Sequence, residues 1–320
     1  MNRPPDVTRA QAHALLRERF AGDAGGLEAL PGGEFSQAFA FVAGGRPYVL
    51  RLNAAVHAAE GFANDDYAAR HFASPTLPIP RVVATGALAN GHFAISERAA
   101  GRRLTEYDPA ERRALLPALL DTLDAIGRAD VQSSRGYGPW GSDGNGQFAR
   151  WRDYLAAINE NEDGGYNRDW HALFRDSFLE RELYDTVYRR MLRLAAHCPE
   201  ERGLIHNDYW FMNILGEIGP ACARISGVID WADALYGDPL YEIARLAWGA
   251  DYPGWWYADG AALLQARYGT APGYTDRIAC YECHLALGDL RFYAKTGRRE
   301  EYDWARGKLI ARMREDADVG

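Results

Sequence analysis

An α+β fold in two parts is predicted by the order in which hydrophobic periods change along the 320-residue chain. Alternating apolar runs at Ala38 to Val42 and Tyr48 to Leu52 flank Gly44-Gly45, which signals a β-hairpin. A helical period follows over about Glu60 to Phe72, and strand patterns return near Arg81 to Ala84 and Phe93 to Glu97. From Pro109 onward helical periods dominate. These observations predict a small antiparallel β lobe with one helix, residues 1–98, and a large, mainly helical lobe, residues 99–320, meeting near Ala99-Ala100-Gly101.

The elements follow in order. Thr8-Arg9-Ala10-Gln11 has the form of a capping box and predicts a helix reaching about Phe20. Side chains alternate along Tyr48 to Asn53, so Val49 and Arg51 share the face opposite Leu50 and Leu52. The longest helical pattern runs from Trp170 to Ala196. Gly136-Tyr137-Gly138-Pro139-Trp140-Gly141 spells a glycine pattern known from phosphate loops, but it follows a helical stretch from Glu111 to Asp130 and leads into the turn-rich Ser142 to Gly146. It therefore reads as a structural or acceptor-side loop.

With 48% hydrophobic and 12% aromatic residues, the chain can bury one large core or two lobes. A net charge of −8 argues against nucleic acid and suits a cationic ligand. The start, Met1 to Arg9, has no apolar core of signal-peptide length, and no later run approaches a membrane span, so a soluble cytoplasmic protein is expected, acting as a monomer. Cys198, Cys222, Cys280 and Cys283 fit a reducing compartment without a disulfide framework. Cys280-Tyr281-Glu282-Cys283-His284 spells a haem-attachment pattern, but it sits in a helical period with Ile278, Leu285, Leu287 and Leu290 and reads as buried helix.

The chemistry concentrates in Leu204-Ile205-His206-Asn207-Asp208-Tyr209-Trp210-Phe211-Met212-Asn213 and in Gly227-Val228-Ile229-Asp230-Trp231. Asp and Asn favour turns for reasons of their own, yet here they fall in a fixed order between apolar strands. A carboxylate at Asp208 can orient and deprotonate a hydroxyl, while Asn213 and Asp230 offer the oxygen ligands that suit Mg²⁺ beside ATP phosphates. The pattern resembles the catalytic and metal loops of protein-kinase-like phosphotransferases, which implies a bilobal protein-kinase-like fold. After Asp230 the chain passes through Gly237-Asp238-Pro239 almost directly into the apolar-periodic helix Leu240 to Trp248. That leaves no room for a peptide-docking activation segment and resembles the aminoglycoside phosphotransferase family. Gly33 to Phe41, Tyr48 to Asn53, His71 to Pro80 and Trp151 to Asp153 resemble the branch of that family acting on hygromycin B, and the likeness weakens toward the C-terminus.

The resemblance implies residue roles. Asp208 is the catalytic residue, as much an orienter of the acceptor as a base, and Asn213 and Asp230 bind the metal. Arg51 takes the place where kinases usually put a phosphate-binding lysine. Lys295 and Lys308 are the only lysines and lie near the C-terminus. An acid on the following helix should pair with Arg51, Asp65 or Asp66 by spacing, with Glu60 in reserve. The loop Gly33 to Gln37, with the Ser36 hydroxyl, covers phosphates, and Glu97 and Ala99 contact adenine through their backbone. His206 supports the loop, and Asp238 is expected to hydrogen-bond the catalytic-loop backbone. Asp233, Asp251, Glu282 and Asp289 are candidates to pair with ammonium groups of a cationic antibiotic, and Tyr252, Trp255, Trp256 and Tyr257 to stack on its rings. The implied activity is ATP- and Mg²⁺-dependent phosphorylation of hygromycin B or a close aminocyclitol. Alternatives are a kinase for another small hydroxylated molecule, such as a macrolide, choline, homoserine or a sugar, and a catalytically silent nucleotide-binding module.

Overall fold

The computed structural model describes residues 8–31, 36–55, 57–161, 168–220 and 222–317. The N-terminal residues 1–7 and most of the expected phosphate loop, residues 33–35, lie outside the described residues. Packing groups the chain into two compact units. The first comprises Met1–Ser133, Trp140–Asn145 and His206–Ala234, and the second Ser134–Pro139, Gly146–Ile205 and Leu235–Gly320. This grouping cuts the chain differently from a division at residue 98.

In the first unit α1 (Arg9–Arg19) opens on the expected capping box of Thr8 and Gln11. It covers one face of a five-stranded antiparallel sheet built from β1 (Ala24–Leu30), β2 (Ser36–Ala43), β3 (Arg46–Asn53), β4 (Val82–Leu88) and β5 (Gly91–Glu97), in the order β1-β2-β3-β5-β4. Ala12 and Leu16 of the helix pack with Phe39, Phe41, Leu50, Leu52, Phe93 and Ile95. Along β3, Tyr48, Leu50 and Leu52 are buried in this core while Val49, Arg51 and Asn53 face away, as the period of two requires. α2 (Ala58–His71) lies on that second face, with Ala58 and Phe62 against Ala94.

β1 was not legible in the sequence. Its Gly25-Gly26 pair lowers strand propensity, and a register shift between Gly25 and Glu28 interrupts its alternation. After the sheet, Gly101 turns with φ 82°, where an added Cβ would sit 2.0 Å from the Gly216 carbonyl, so only glycine allows this approach. β6 (Arg102–Arg103) then pairs with a hairpin described below, and α3 (Pro109–Gly127) starts on a second capping box, Asp108 with Glu111.

The second unit begins with β7 (Tyr137–Trp140) and β8 (Gly146–Phe148). The segment expected to be a loop is thus strand, a correction with a pairing cause: β7 aligns with β12 (Leu235–Gly237), Leu235 opposite Pro139, in the sheet β8-β7-β12-β9. Four residues are too few to show alternation. α4 (Trp151–Ala156) precedes α5 (Leu173–Asp176) and α6 (Arg181–Ala195). The long Trp170 to Ala196 pattern is therefore broken. Ser177 is extended, its hydroxyl donating to the Leu173 carbonyl at 2.6 Å and accepting from the Leu179 N–H at 3.2 Å, which ends α5. β9 (Gly203–Ile205) leads back into the first unit, where β10 (Ile214–Ile218) and β11 (Ala223–Val228) form the expected hairpin with β6 at its edge.

The chain ends with α7 (Leu240–Gly249), α8 (Gly260–Tyr268), α9 (Tyr274–Thr296) and α10 (Arg299–Ala317) in the second unit. All four cysteines are free thiols, Cys198, Cys280 and Cys283 buried and Cys222 exposed. Asp238, expected at the catalytic-loop backbone, instead works inside this unit. It caps α7 through the Leu240 N–H at 3.0 Å and takes Nε and Nη2 of Arg277, with the Tyr281 hydroxyl as a further donor. The rigid fork of Arg277 matches both carboxylate oxygens, which is why this pairing prevails. Arg277 also donates to the Pro272 carbonyl at 2.9 Å and to Glu201 at 3.1 Å. The two paired side chains are 4% and 0% exposed.

Breaking such a pair leaves a buried charge without compensation. Arg277→Met should lower stability by about 3–5 kcal/mol, read as a fall in the urea midpoint, while Arg277→Met with Asp238→Leu should recover much of the loss. Equal midpoints for the single variant and the parent would remove the pair from this role.

Candidate active site

Several elements of the first unit converge on one cavity. Its walls include Val49 and Arg51 from β3, Asp65 from α2, Glu97, Arg98 and Ala99 from the linker after β5, Arg103 from β6, Leu215 from β10, and Ile229, Asp230 and Trp231 after β11. Ser36 stands near the mouth of the sheet, where its hydroxyl accepts from the Asn53 amide at 3.2 Å. The linker is fixed by its backbone: the Glu97 N–H donates to the Arg81 carbonyl at 2.9 Å and the Arg98 N–H to the Pro47 carbonyl at 3.0 Å.

Of the acids considered as partners for Arg51, Asp65 makes the contact, Oδ2 accepting from Nη2. Asp66 pairs instead with Arg70 at 2.6 Å, and Glu60 lies near His57. Spacing on α2 explains the choice, because Asp65 shares the inward face with Phe62, and the Arg51 guanidinium lies 5.1 Å from the Phe62 ring centre. Burial opposes the charge on Arg51, but Asp65 and Asp230 outweigh it and hold its pKa above the usual arginine value.

Asp65 also accepts the Trp231 N–H at 2.8 Å through its other oxygen. One carboxylate thus links β3, α2 and the segment after β11. Trp231 had been given no role from sequence. It is 1% exposed, and its ring meets the His206 imidazole edge-on at 4.4 Å.

The catalytic loop is organised by His206, which is fully buried. Its Nε2 lies 3.1 Å from the Ile229 carbonyl, which can only accept, so Nε2 carries the proton. Nδ1 then accepts the Asp208 N–H at 3.2 Å. Asn213 turns its amide nitrogen to the Asp208 carbonyl at 3.0 Å and to Asp208 Oδ2 at 2.6 Å. Its own carbonyl accepts the Ile229 N–H at 3.0 Å. Asn207 and Asp230 both adopt left-handed backbone, φ 64° and 68°. Short polar side chains tolerate that region better than others, and such positions concentrate at working sites. Crowding by surrounding protein, reinforced by Asp65, raises Asp230 to about 6 even though Arg51 draws it down. Its side chain lines the cavity, where a cation would further favour the charged form.

The four proposed acceptor acids stand in different surroundings. Asp233 is exposed, and its backbone carbonyl holds the Asn207 amide at 3.1 Å. Asp251 pairs with Lys308 at 2.7 Å, Glu282 with Arg312 at 3.4 Å, and Asp289 accepts the Trp248 indole N–H at 2.8 Å. Tyr252 and Trp255 pack at 4.4 Å, while Trp256 and Tyr257 are buried. Arg277 was also missed from sequence, although a lone arginine at helical spacing from buried Tyr281 and His284 was a usable sign of a buried ion pair.

A carboxylate beside an amide, a second carboxylate across a short hairpin, and a paired arginine on the facing sheet make up the arrangement of a kinase-like phosphotransferase. The phosphotransferase enzyme family matches residues 26–281, and the chain belongs to that family as a small-molecule O-phosphotransferase. Hygromycin-B 4-O-kinase of Escherichia coli is 33% identical over 317 residues, 98% of this chain and 87% of that protein. A thermostable mutant of aminoglycoside phosphotransferase APH(4)-Ia, in ternary complex with AMP-PNP and hygromycin B, gives a TM-score of 0.83 at 33% identity, covering 95% of this chain and 98% of that one. The GDP complex of wild-type aminoglycoside 2'-phosphotransferase-IIIa shares the fold, with a TM-score of 0.65 at 14% identity over 95% and 98% of the two chains.

The two duties of Asp65 can be separated. Asp65→Asn keeps an oxygen for the Trp231 N–H but removes the charge facing Arg51, and should weaken nucleotide binding about tenfold, the size of one lost charge-assisted hydrogen bond. Asp65→Ala loses both contacts and should also lower the melting temperature. Calorimetric nucleotide titrations beside thermal melts check this, and equal effects in the two variants would contradict it.

Proposed function

We propose that this protein transfers the γ-phosphoryl group of ATP, with Mg²⁺, to a hydroxyl of hygromycin B or a close aminocyclitol antibiotic. The observation that supports the reading most is the 33% identity to hygromycin-B 4-O-kinase across 98% of the chain. It is joined by the Asp208, Asn213 and Asp230 constellation opposite Arg51.

The residues present fit such a reaction. With its amide nitrogen turned to Asp208, Asn213 keeps an amide oxygen, and Asp230 presents a carboxylate to the cavity. These two oxygens are the groups that would hold Mg²⁺, and a bound ion would supply charge neutralisation at the phosphates. Arg51, held by Asp65 and Phe62, meets phosphate oxygens as a planar, permanently charged fork. Ser36 stands beside the phosphates, and Glu97 and Ala99 offer backbone groups to the adenine. Asp208, oriented by Asn213 and by its own N–H on His206, accepts a hydrogen bond from the acceptor hydroxyl and takes its proton as the new bond forms. Because phosphoryl transfer asks mainly for positioning and charge stabilisation, a loop fixed in this way is the main requirement.

In functional terms nucleotide binding falls mainly to residues 1–98 and catalysis with acceptor binding to residues 99–320. Asp233, Asp251, Glu282 and Asp289 are the acids we assign to a cationic acceptor. Among the described residues no helix is long and apolar enough to cross a membrane. Four free thiols suit a reducing cytoplasm.

Asp208→Asn should leave nucleotide affinity nearly unchanged while turnover falls by about 10²–10⁴-fold, the usual contribution of a general base. Nucleotide titration beside steady-state kinetics separates these, and retention of most of the parent turnover would exclude Asp208. For the acceptor, mass spectrometry of hygromycin B incubated with enzyme and Mg·ATP should show one added phosphoryl group. In a sensitive bacterium the protein should raise resistance to hygromycin B far more than to kanamycin or gentamicin. An unmodified drug, where another hydroxyl compound is phosphorylated, would redirect the reading to a different small-molecule kinase.

A further inference from the structure

Arg103 belongs to the same cavity but has no place in the machinery above. It lies on β6, opposite Leu215 of β10, and lines the wall with Arg51 and Asp230. Its Nη1 donates to the Pro31 carbonyl at 3.3 Å, across 72 residues of sequence. Among the described residues this carbonyl is its one hydrogen-bond partner, and no carboxylate lies within ion-pair distance. The adjacent Arg102 is placed differently, paired with Glu111 at 3.2 Å and stacked 4.0 Å from the Tyr107 ring centre. Arg103 is half-buried, so its charge is partly withdrawn from water without the carboxylate partner that Arg51 has.

A guanidinium carries five N–H donors in a rigid fork. One is used here. The others stand on a wall shared with Asp230 and Arg51. A half-buried guanidinium that has no carboxylate partner among the described residues, on one wall with the Asp230 carboxylate, is matched by phosphate oxygens, which accept several charge-assisted hydrogen bonds at once.

We propose that Arg103 is a second cationic contact for the polyphosphate of the bound nucleoside triphosphate, acting beside Arg51 and held in position by the Pro31 carbonyl. This rests on the reading of the cavity as the nucleotide site. Its role is in nucleotide binding, so it separates from that of Asp208: loss of Arg103 raises KM for Mg·ATP and leaves kcat close to the parent value.

Two substitutions distinguish charge from scaffolding. Arg103→Gln keeps a donor for the Pro31 carbonyl and removes the charge; Arg103→Lys keeps the charge. Titrating the full-length protein with Mg·ATP, Mg·ADP and adenosine, Arg103→Gln should bind Mg·ATP about tenfold more weakly, Mg·ADP less so, and adenosine within roughly twofold of the parent, as expected for a contact made to phosphate. Arg103→Lys should recover most of the Mg·ATP affinity at low salt. Equal losses for adenosine and Mg·ATP, or full Mg·ATP affinity in Arg103→Gln, would overturn the proposal. A parent protein that binds no Mg·ATP would overturn the nucleotide-site reading itself, and is recognised before any variant is made.

Discussion

Asp65 carries the connection on which the site depends. Its two oxygens face different ways, one to the Arg51 guanidinium and one to the Trp231 N–H. A sheet strand, a helix and the turn that follows β11 are thereby set relative to one another by a single buried carboxylate. An ionised acid of this kind is stable in the interior only when its lone pairs are met by charge or by N–H donors, and here both are supplied. Arg51 gains from the same contact, since the neighbouring carboxylates overcome the penalty of burying its charge. The cost falls on Asp230, whose carboxyl is raised by the crowding and by the nearby Asp65.

The second constraint is the tautomer of His206. The Ile229 carbonyl demands a donor and the Asp208 N–H demands an acceptor, so one neutral imidazole satisfies both strands of the argument. Protonating His206 would place a second donor against the Asp208 N–H. The loop therefore keeps its shape through a neutral histidine packed under Trp231, and Asn207 completes the turn in left-handed backbone with its amide on the Asp233 carbonyl. Catalytic and metal-side residues are held by the same few bonds, which is how two segments separated in sequence share one geometry.

Much of this was legible from the chain alone, for reasons that differ by residue. The hairpin at Gly44-Gly45, the capping box at Thr8 and the helix carrying Asp65 are local, and periodicity with turn chemistry specifies them. The spacing of Asp208, Asn213 and Asp230 was readable because the chemistry needs those residue types in that order. What escaped was non-local. β7 and β12 are strands because they pair within the sheet β8-β7-β12-β9, and nothing in three or four residues announces that. The break at Ser177 turns on one hydroxyl competing for a backbone carbonyl, against a helical pattern that continues on both sides. The resemblance puts Asp238 against the catalytic-loop backbone, whereas its partner, Arg277, stands 39 residues further on. The choice of Asp65 over Asp66 follows from which residue shares the Phe62 face, and so from the way α2 is turned against the sheet.

The same reasoning orders the acids offered for a cationic acceptor. A drug ammonium group approaching Asp251 or Glu282 would compete with Lys308 or Arg312, both already tethered to the same unit. Asp251 is exposed, so its pair is open to displacement and the net gain is the difference between two similar contacts, whereas Glu282 is buried and its pair is less open to exchange. Asp289 is half-buried, raised from its usual value chiefly by desolvation, and engaged with the Trp248 indole, so a ligand must compete with that N–H. Asp233 differs from all three. It is exposed, its backbone is fixed by the catalytic loop, and its negative charge already acts on Asp230.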